Sequence, residues 1–115
     1  MSGKTYAYLE NEVIIWARNR GIPQNSTPVA QARKTLEEVG ELIEAAACLG
    51  VVEHDSLAAC SFRHQYKDAL GDCLVTLIVG AETAGIDLMG CLEQAYNEIK
   101  DRRGYLRPDG VFVKE

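Results

Sequence analysis

The sequence predicts an all-α protein: a bundle of about four helices in one domain over residues 1–115, with a short C-terminal hairpin or arm. Apolar residues recur at helical spacing through four long segments. A length of 115 residues suits one hydrophobic core. Each long segment is followed by a glycine that can end a helix, namely Gly21, Gly50, Gly85 and Gly104.

The first two helices are predicted over residues 5–20 and 28–49, and residues 22–28 are predicted to form a loop between them. The first helix has a broad apolar face and basic residues in its last turn, where they compensate the helix dipole. Thr27 followed by Pro28 is a favourable pair for the N-cap and first helical position. These signals place the second helix with some precision.

A connection over residues 51–61, with a short helical turn at 55–60, precedes a third helix at 62–84 that is apolar almost all round and is therefore expected to be buried. A fourth helix is predicted over 88–103, with Asp87 as its N-cap. Its inner face is expected to hold Met89, Leu92, Ala95, Tyr96 and Ile99. The sequence Pro-Asp-Gly between two short apolar segments then predicts a turn and a small hairpin or ordered arm.

Composition narrows the class of function. The net charge is −5, from 17 acidic and 12 basic residues, which argues against binding along duplex nucleic acid. The four cysteines have no metal-knuckle spacing and are expected to be free thiols, consistent with a reducing cytoplasm. The longest apolar run, residues 73–81, is too short to span a bilayer. We therefore expect a cytoplasmic protein without a membrane partner.

Two groups of carboxylates are candidates for a metal site. Glu38 and Glu41 lie on one stripe of the second predicted helix, and Asp68 and Asp72 lie one turn apart on the third. No Lys or Arg occurs between Asp68 and Lys100. Because ionised carboxylates on a buried helix are costly unless they are paired or bind a cation, the sequence predicts a site for Mg²⁺ or Mn²⁺. A single glutamate on a helix is more often exposed to solvent without a ligand. This remains the alternative for individual glutamates near the two groups.

Candidate substrate contacts lie on three helices. Gln31 and Lys34 share a helix face with Glu38 and Glu41, so Lys34 is either an ion-pair partner of these carboxylates or a phosphate ligand. Trp16 is either a core residue or a stacking surface for a base. A basic cluster that ends the fourth helix either compensates the helix dipole or binds phosphate, with these candidates: Asn97, Lys100 and Arg103.

From Gln31 to Val113 the sequence resembles the MazG-like nucleotide pyrophosphohydrolases, especially the short forms of phages and mobile elements. That family pairs E-x-x-E on one helix with E-x-x-D on the next. Glu38 and Glu41 match the first motif, and Asp72 matches the end of the second. The sequence departs from the pattern at Ala69, where the family usually has glutamate, and Asp68 is the candidate substitute.

The resemblance implies an all-α fold assembled as a homodimer or homotetramer. It also implies Mg²⁺-dependent hydrolysis of a nucleoside triphosphate to the monophosphate and pyrophosphate, with Glu38 or Glu41 as general base and Glu37 as a further candidate. Three alternatives stay open. They are a di-iron or di-manganese bundle, for which Glu-x-x-His pairs are lacking; a narrow substrate such as dUTP, dCTP or phosphoribosyl-ATP; and a catalytically weakened helical dimer that binds a nucleotide or a partner, which Ala69 favours.

Overall fold

A computed structural model describes residues 3–115 of the chain as helices followed by one small sheet. The elements in chain order are α1 (Tyr6–Asn19), α2 (Ile22–Asn25), α3 (Pro28–Gly50), α4 (Leu57–Ala84), α5 (Leu88–Ile99), β1 (Gly104–Leu106) and β2 (Phe112–Lys114). The two strands pair antiparallel, with Gly104 opposite Lys114. The predicted all-α class and the C-terminal hairpin are both confirmed.

The helix pair α3 and α4 makes the most extensive packing in the fold. The buried residues are mostly small: Ala17, Ala45, Ala59, Ala69, Cys73, Thr76, Ile78 and Val79. Small side chains allow the axes of two helices to approach closely. Polar groups just outside this seam, on facing turns of α3 and α4, are therefore brought near one another.

The helix starts follow local capping chemistry. The Thr27 hydroxyl accepts a hydrogen bond from the Ala30 amide at 3.1 Å, as the sequence predicts for α3. The Ser56 hydroxyl accepts from the Ala59 amide at 3.0 Å, so α4 begins at Leu57 rather than at residue 62. The short turn predicted at 55–60 is thus the first turn of α4 itself.

The predicted loop at 22–28 is wrong in part, because residues Ile22–Asn25 form α2. Gly21 has a φ of 72°, which reverses the chain after α1, and Pro23 lies in the first turn of α2, where a fixed φ and a missing N–H are tolerated. The side-chain amide Nδ2 of Asn25 then donates to the Gly21 carbonyl at 2.8 Å. This short helix packs against both α1 and α4.

The end of α5 also differs from the prediction, since the helix ends at Ile99 and not at Arg103. A Cβ atom on Gly104 would collide with the Val113 carbonyl oxygen, so this glycine permits the close pairing of β1 with β2. The chain leaves the helix early enough to form that pairing, which includes a hydrogen bond from the Glu115 amide to the Arg103 carbonyl at 2.9 Å. Asp87 is the N-cap of α5, as predicted, although its side chain makes no capping hydrogen bond.

The expected inner face of α5 is not covered in the chain. Leu92 is 62% exposed and Ile99 is 51% exposed, and within the described residues 3–115 the helix packs only on α4. The expected burial of α4 on all sides is likewise wrong, because one side of it exposes Leu70, Leu74 and Leu77.

In the part of the chain that the structure describes, no single helix has both the length and the apolar character to cross a membrane, although α4 and α5, bent by 107°, would together meet those two criteria.

Candidate metal centre

Three carboxylates from two helices meet at the side of the α3–α4 seam. Glu38 and Glu41 of α3 and Asp72 of α4 each place one carboxylate oxygen within 4.8 Å of the others. We call these residues the carboxylate trio. The three-residue spacing puts both glutamates on one face of α3, and the small residues in the seam bring Asp72 opposite them. The predicted pairing of E-x-x-E with Asp72 is therefore present in the fold.

The trio is not as deeply buried as the sequence suggested. Glu41 and Asp72 are exposed, whereas the Glu38 side chain retains only 13% exposure. Glu38 Oε1 lies 3.5 Å from Lys34 Nζ, but Glu38 Oε2 is buried without a hydrogen-bond partner in residues 3–115. A buried carboxylate oxygen with no donor costs free energy, so this atom indicates that the site is built for a cation.

The charges of the trio act on one another. A proton on Glu41 would donate a hydrogen bond to Glu38, and this bond raises the pKa of Glu41 above its ordinary value. The negative charge of Glu38, partial burial and the charges of Asp72 and Glu37 raise the pKa of Glu41 further. Three carboxylates facing one ammonium group leave an excess of negative charge. A divalent cation with oxygen ligands, such as Mg²⁺ or Mn²⁺, fits this donor set.

Two cavities flank the trio, and Asp72 lines both of them. The polar cavity, of about 300 Å³, is lined by Glu41, Glu44, Ala45, Gln65, Asp68, Ala69 and Asp72. The apolar cavity, of about 280 Å³, is lined by Trp16, Ile22, Gln31, Lys34, Glu38, Asp72, Val75, Thr76 and Val79. The trio thus separates a carboxylate-rich space from an apolar one, and a ligand with an apolar end and an anionic end could occupy both.

Trp16 lies at the apolar cavity and is not a core residue. Its side chain remains 43% exposed, and the Arg20 guanidinium stacks on its ring with 4.5 Å to the ring centroid. Gln31 lines the same cavity and donates a hydrogen bond to the Ser26 hydroxyl at 2.9 Å. Both residues are therefore near the trio, in positions from which they could contact a ligand in the apolar cavity.

Lys34 is held by carboxylates of its own helix. Its ammonium group lies 3.6 Å from Glu37 and 3.5 Å from Glu38, and the negative charge of Glu37 raises the pKa of Lys34, with Glu38 adding to the effect. Of the two predictions for Lys34, the structure shows the ion pair with carboxylates of its own helix. Because half of its side chain is exposed beside the apolar cavity, Lys34 is also accessible to an incoming anion.

Asp68 lines the polar cavity but lies outside the trio. Its side chain is 66% exposed, and Asp68 Oδ2 lies 3.6 Å from His64 Nε2. Ala69, in contrast, is 6% exposed and lines the polar cavity together with Asp72. The structure therefore leaves Asp68 as a predicted ligand at the edge of the site, and it places the small side chain of Ala69 where the family pattern would have a carboxylate.

The remaining predicted contacts lie elsewhere in the chain. Asn97, Lys100 and Arg103 line neither cavity, and within residues 3–115 α5 makes no packing contact with α3. Arg103 instead lies 3.7 Å from the carboxylate of Glu115. A phosphate-binding role for these residues stays a prediction.

Several residues near the site are missing from the sequence-based prediction. Ile22, Val75 and Val79 form apolar walls, and Thr76 donates a hydrogen bond to the Cys73 carbonyl at 2.7 Å. The Thr35 hydroxyl bonds that of Thr76 at 2.9 Å, which ties α3 to α4 beside the trio. For Val75 and Thr76 the sequence signal is their position one turn from Asp72 on α4, whereas Ile22 and Thr35 lie on other helices and reach the site only through packing.

Comparison with solved structures identifies the fold. The chain superposes with a TM-score of 0.64 on a MazG-like pyrophosphohydrolase of cyanophage S-2L, described as bound to dGDP and three catalytic Mn²⁺ ions per active site. The two sequences are 18% identical, and the match covers 100% of this chain and 97% of the other. The fold is MazG-like. This confirms the fold that the E-x-x-E motif and Asp72 suggested.

The sequence comparisons add a phage relative. The chain is 35% identical over 72 residues to an uncharacterized 18.2 kDa protein from the rep-hol intergenic region of Haemophilus phage HP1, strain HP1c1. That match covers 63% of this chain and 37% of the relative, so the chain spans well under half of the relative's length. No family model matches the chain.

Proposed function

We propose that the chain is a metal-dependent hydrolase that cleaves (deoxy)nucleoside triphosphates to the monophosphate and pyrophosphate. The observation that carries this proposal is the carboxylate trio, placed between an apolar and a polar cavity, with a buried Glu38 oxygen that has no hydrogen-bond partner among residues 3–115. The MazG-like fold, and the dGDP and Mn²⁺ described for the cyanophage protein, support a nucleotide and a divalent metal as ligands here.

Glu38, Glu41 and Asp72 would hold the metal, with Asp68 as a further ligand from the edge of the polar cavity. We propose Mg²⁺ as the cofactor, with Mn²⁺ as an alternative, because both prefer oxygen ligands. When bound, such a cation neutralises negative charge that develops on phosphate oxygens. The metal would also offset the mutual repulsion of the carboxylates, which otherwise raises the pKa of Glu41.

The chain's own side chains have three tasks. Glu38 or Glu41 accepts the proton of the water that attacks phosphorus, with Glu37 as a further candidate base. Lys34 counters the charge of the phosphates, for which it must exchange its ion pairs on α3 for contacts with the substrate. Trp16, at the wall of the apolar cavity, provides an aromatic surface for the base.

We place the attack at the α-phosphorus because the resemblance to the MazG-like pyrophosphohydrolases implies cleavage between the α and β phosphates. In-line attack there releases pyrophosphate and leaves a monophosphate. An enzyme of this kind would act in control or cleansing of the nucleotide pool, in the cytoplasm. Its net charge of −5 favours a free nucleotide over duplex nucleic acid as the substrate, and we propose no membrane partner.

A homodimer or homotetramer would complete the site. The uncovered apolar side chains of α4 and α5 provide the surface for association. In such an assembly Asn97, Lys100 and Arg103 of one copy could reach the trio of another, which no residue of α5 does within the described chain. Lys100 and Arg103 would then bind the phosphates that Lys34 alone cannot neutralise.

The proposal is tested by a product assay. The purified protein is incubated with each ribo- and deoxyribonucleoside triphosphate, with Mg²⁺ and with EDTA, and the products are separated. We expect monophosphate and pyrophosphate with Mg²⁺ and no turnover in EDTA. The Glu41→Gln variant should be inactive, whereas Glu12→Gln, which removes an exposed carboxylate of α1, should retain wild-type activity.

Other products would point to other functions. Diphosphate and phosphate would contradict cleavage at the α-phosphorus. Metal binding without turnover of any triphosphate would favour the second candidate, a catalytically weakened helical dimer that binds a nucleotide or a partner. The observation that favours this candidate is Ala69, which leaves the polar cavity without the carboxylate that the family pattern places there.

A further inference from the structure

A third cavity lies at the far end of the α3–α4 pair, away from the trio. It has a volume of about 370 Å³ and is formed where the chain connects the two helices. Apolar atoms line one part of it and cationic side chains another; its residues are Leu49, Val52, His54, Ala59, Arg63, Tyr66 and Lys67. We call it the cationic cavity. A volume of this size is within the usual range for small-molecule sites.

The cationic cavity is on the opposite side of α4 from the metal centre. At 100° per residue, Arg63 lies about 180° around the helix from Asp72, and Lys67 lies about 140° from it. Neither cation lines the polar or the apolar cavity. A ligand bound to Arg63 and Lys67 would therefore be separate from a substrate at the trio.

The two cationic side chains of this cavity, Arg63 and Lys67, have no anionic partner within the described residues 3–115. Neither of them makes an ion pair or a side-chain hydrogen bond there. Arg18, in contrast, pairs with Glu82 through a hydrogen bond of 2.8 Å. Unneutralised cations grouped in a concave site on an acidic chain create a local positive potential that attracts anions.

The positive surface extends beyond the first cavity. An adjoining cavity of about 380 Å³ shares His54, Arg63 and Lys67, so the same two cationic side chains, Arg63 and Lys67, line both spaces. Its other residues, which also face the cations, are Asp55, Ser56, Cys60 and His64. His64 is already 3.6 Å from Asp68, which leaves Arg63 and Lys67 as the groups that are free to bind an anion.

We propose that the cationic cavity is a second ligand site, which binds a small phosphorylated molecule with a planar or apolar part, the class to which nucleoside monophosphates belong. Arg63 offers a planar guanidinium that can contact two phosphate oxygens at once, and Lys67 adds a point charge one turn along α4. Leu49, Val52 and the Tyr66 ring provide the surface for the planar part. The site needs no metal, because the side chains that would bind the phosphate, Arg63 and Lys67, are themselves cationic.

Nuclear magnetic resonance of the ¹⁵N-labelled protein tests this site without relying on catalysis. Adenosine monophosphate is titrated in buffer with EDTA, which leaves the trio without a cation. We expect saturable shifts of backbone amides in residues 49–67, with a midpoint below about 1 mM. Adenosine, which lacks the phosphate, should give no saturable shifts in these residues, and added salt should weaken the binding of the monophosphate.

A pair of variants with equal charge change separates the site from a general charge effect. Arg63→Gln with Lys67→Gln should weaken binding by about tenfold or more. Arg33→Gln with Lys114→Gln removes two exposed cations from other parts of the surface and should leave the affinity unchanged. Circular dichroism would verify that both variants are folded.

Three results would overturn the second site. They are an absence of saturable shifts in the wild-type protein, equal loss of affinity in the two variants, and shifts confined to the residues around Trp16 and Lys34. None of these results bears on the product assay, which depends on the trio and on added metal. The second site and the proposed hydrolase activity can therefore fail separately.

Discussion

Lys34 Nζ lies 3.5 Å from Glu38 Oε1, one turn along α3, and is the cation that stands beside the carboxylate trio. We expect Lys34→Gln to raise the KM for a triphosphate by about tenfold, with a smaller effect on kcat, because the lost cation contacts both substrate and transition state. Steady-state kinetics with Mg²⁺ measure this split. Arg33→Gln, which removes the neighbouring exposed cation, is the control, and its KM and kcat should equal those of the wild type. An unchanged KM in Lys34→Gln would leave Lys34 with a structural role only.

Removing one charge from the trio should lower the catalytic rate but raise the stability of the metal-free protein. We expect Glu41→Gln and Asp72→Asn to lower kcat by about 100-fold or more, because each loses a metal ligand, or in Glu41 a candidate base. In EDTA the same variants should melt higher than the wild type, by about 2–5 °C, since each relieves repulsion between like charges. Differential scanning calorimetry with and without Mg²⁺ checks the second effect. Wild-type activity in both variants would exclude the trio as the metal centre.

Metal binding should depend on pH through Glu41. The pKa of Glu41 is raised in the folded chain, so Glu41 holds a proton in a range where an ordinary glutamate is ionised. A metal binds the ionised form, and its affinity should therefore fall as the pH is lowered through the raised pKa. Without metal, the raised pKa makes the folded chain bind more protons than the unfolded chain, so stability should decrease as the pH rises through the same range.

Titration with Mn²⁺, followed by electron paramagnetic resonance of the free ion from about pH 4, near the ordinary pKa of glutamate, up to about pH 8, measures this dependence. Glu41→Gln should bind Mn²⁺ weakly and with a flatter pH profile. A wild-type affinity that is constant over this range would contradict the assigned role of Glu41 in holding the metal.

Ala69 offers a test of the incomplete motif. Its side chain lines the polar cavity beside Asp72, so Ala69→Glu would place a carboxylate there. We expect this variant to be less stable than the wild type in EDTA and to regain stability with Mg²⁺, because a metal would neutralise the added charge. Ala69→Gln introduces a side chain of nearly the same volume as glutamate but without its charge. Its melting temperature should increase with Mg²⁺ no more than that of the wild type.

The exposed apolar side chains predict association. Leu74 is 40% exposed on α4 and Leu92 is 62% exposed on α5. If a second copy covers these helices, Leu74→Glu or Leu92→Glu should convert the protein to a monomer, with a loss of activity if the site is shared between copies. Light scattering after size exclusion measures the mass. Val29→Glu changes a residue at the start of α3 that is 60% exposed, close to the value for Leu92, and serves as the control. A wild-type protein that is already monomeric would refute the prediction.

Local chemistry made much of the fold predictable from sequence. Thr27 and Pro28 place the start of α3 because their cap bond and fixed φ act within one turn. Gly85 ends α4 with a φ of 70°, as its position after the apolar segment predicts. The errors are at weak local signals. Ser56 starts α4 earlier than expected, and residues Ile22–Asn25 form a helix whose stability comes from packing on α1 and α4.

The sequence by itself determined which carboxylates share a helix face, because helical spacing fixes Glu38 and Glu41 on α3 without reference to any other element. Only the tertiary structure brought Asp72 to them, since that distance depends on how small side chains allow α3 and α4 to approach. It also decided the separate positions of Asp68 and Trp16, and it left Lys100 outside both cavities that flank the trio. Burial and contacts between helices depend on how the helices pack. The periodicity within one helix cannot predict which residues of another helix will lie beside it.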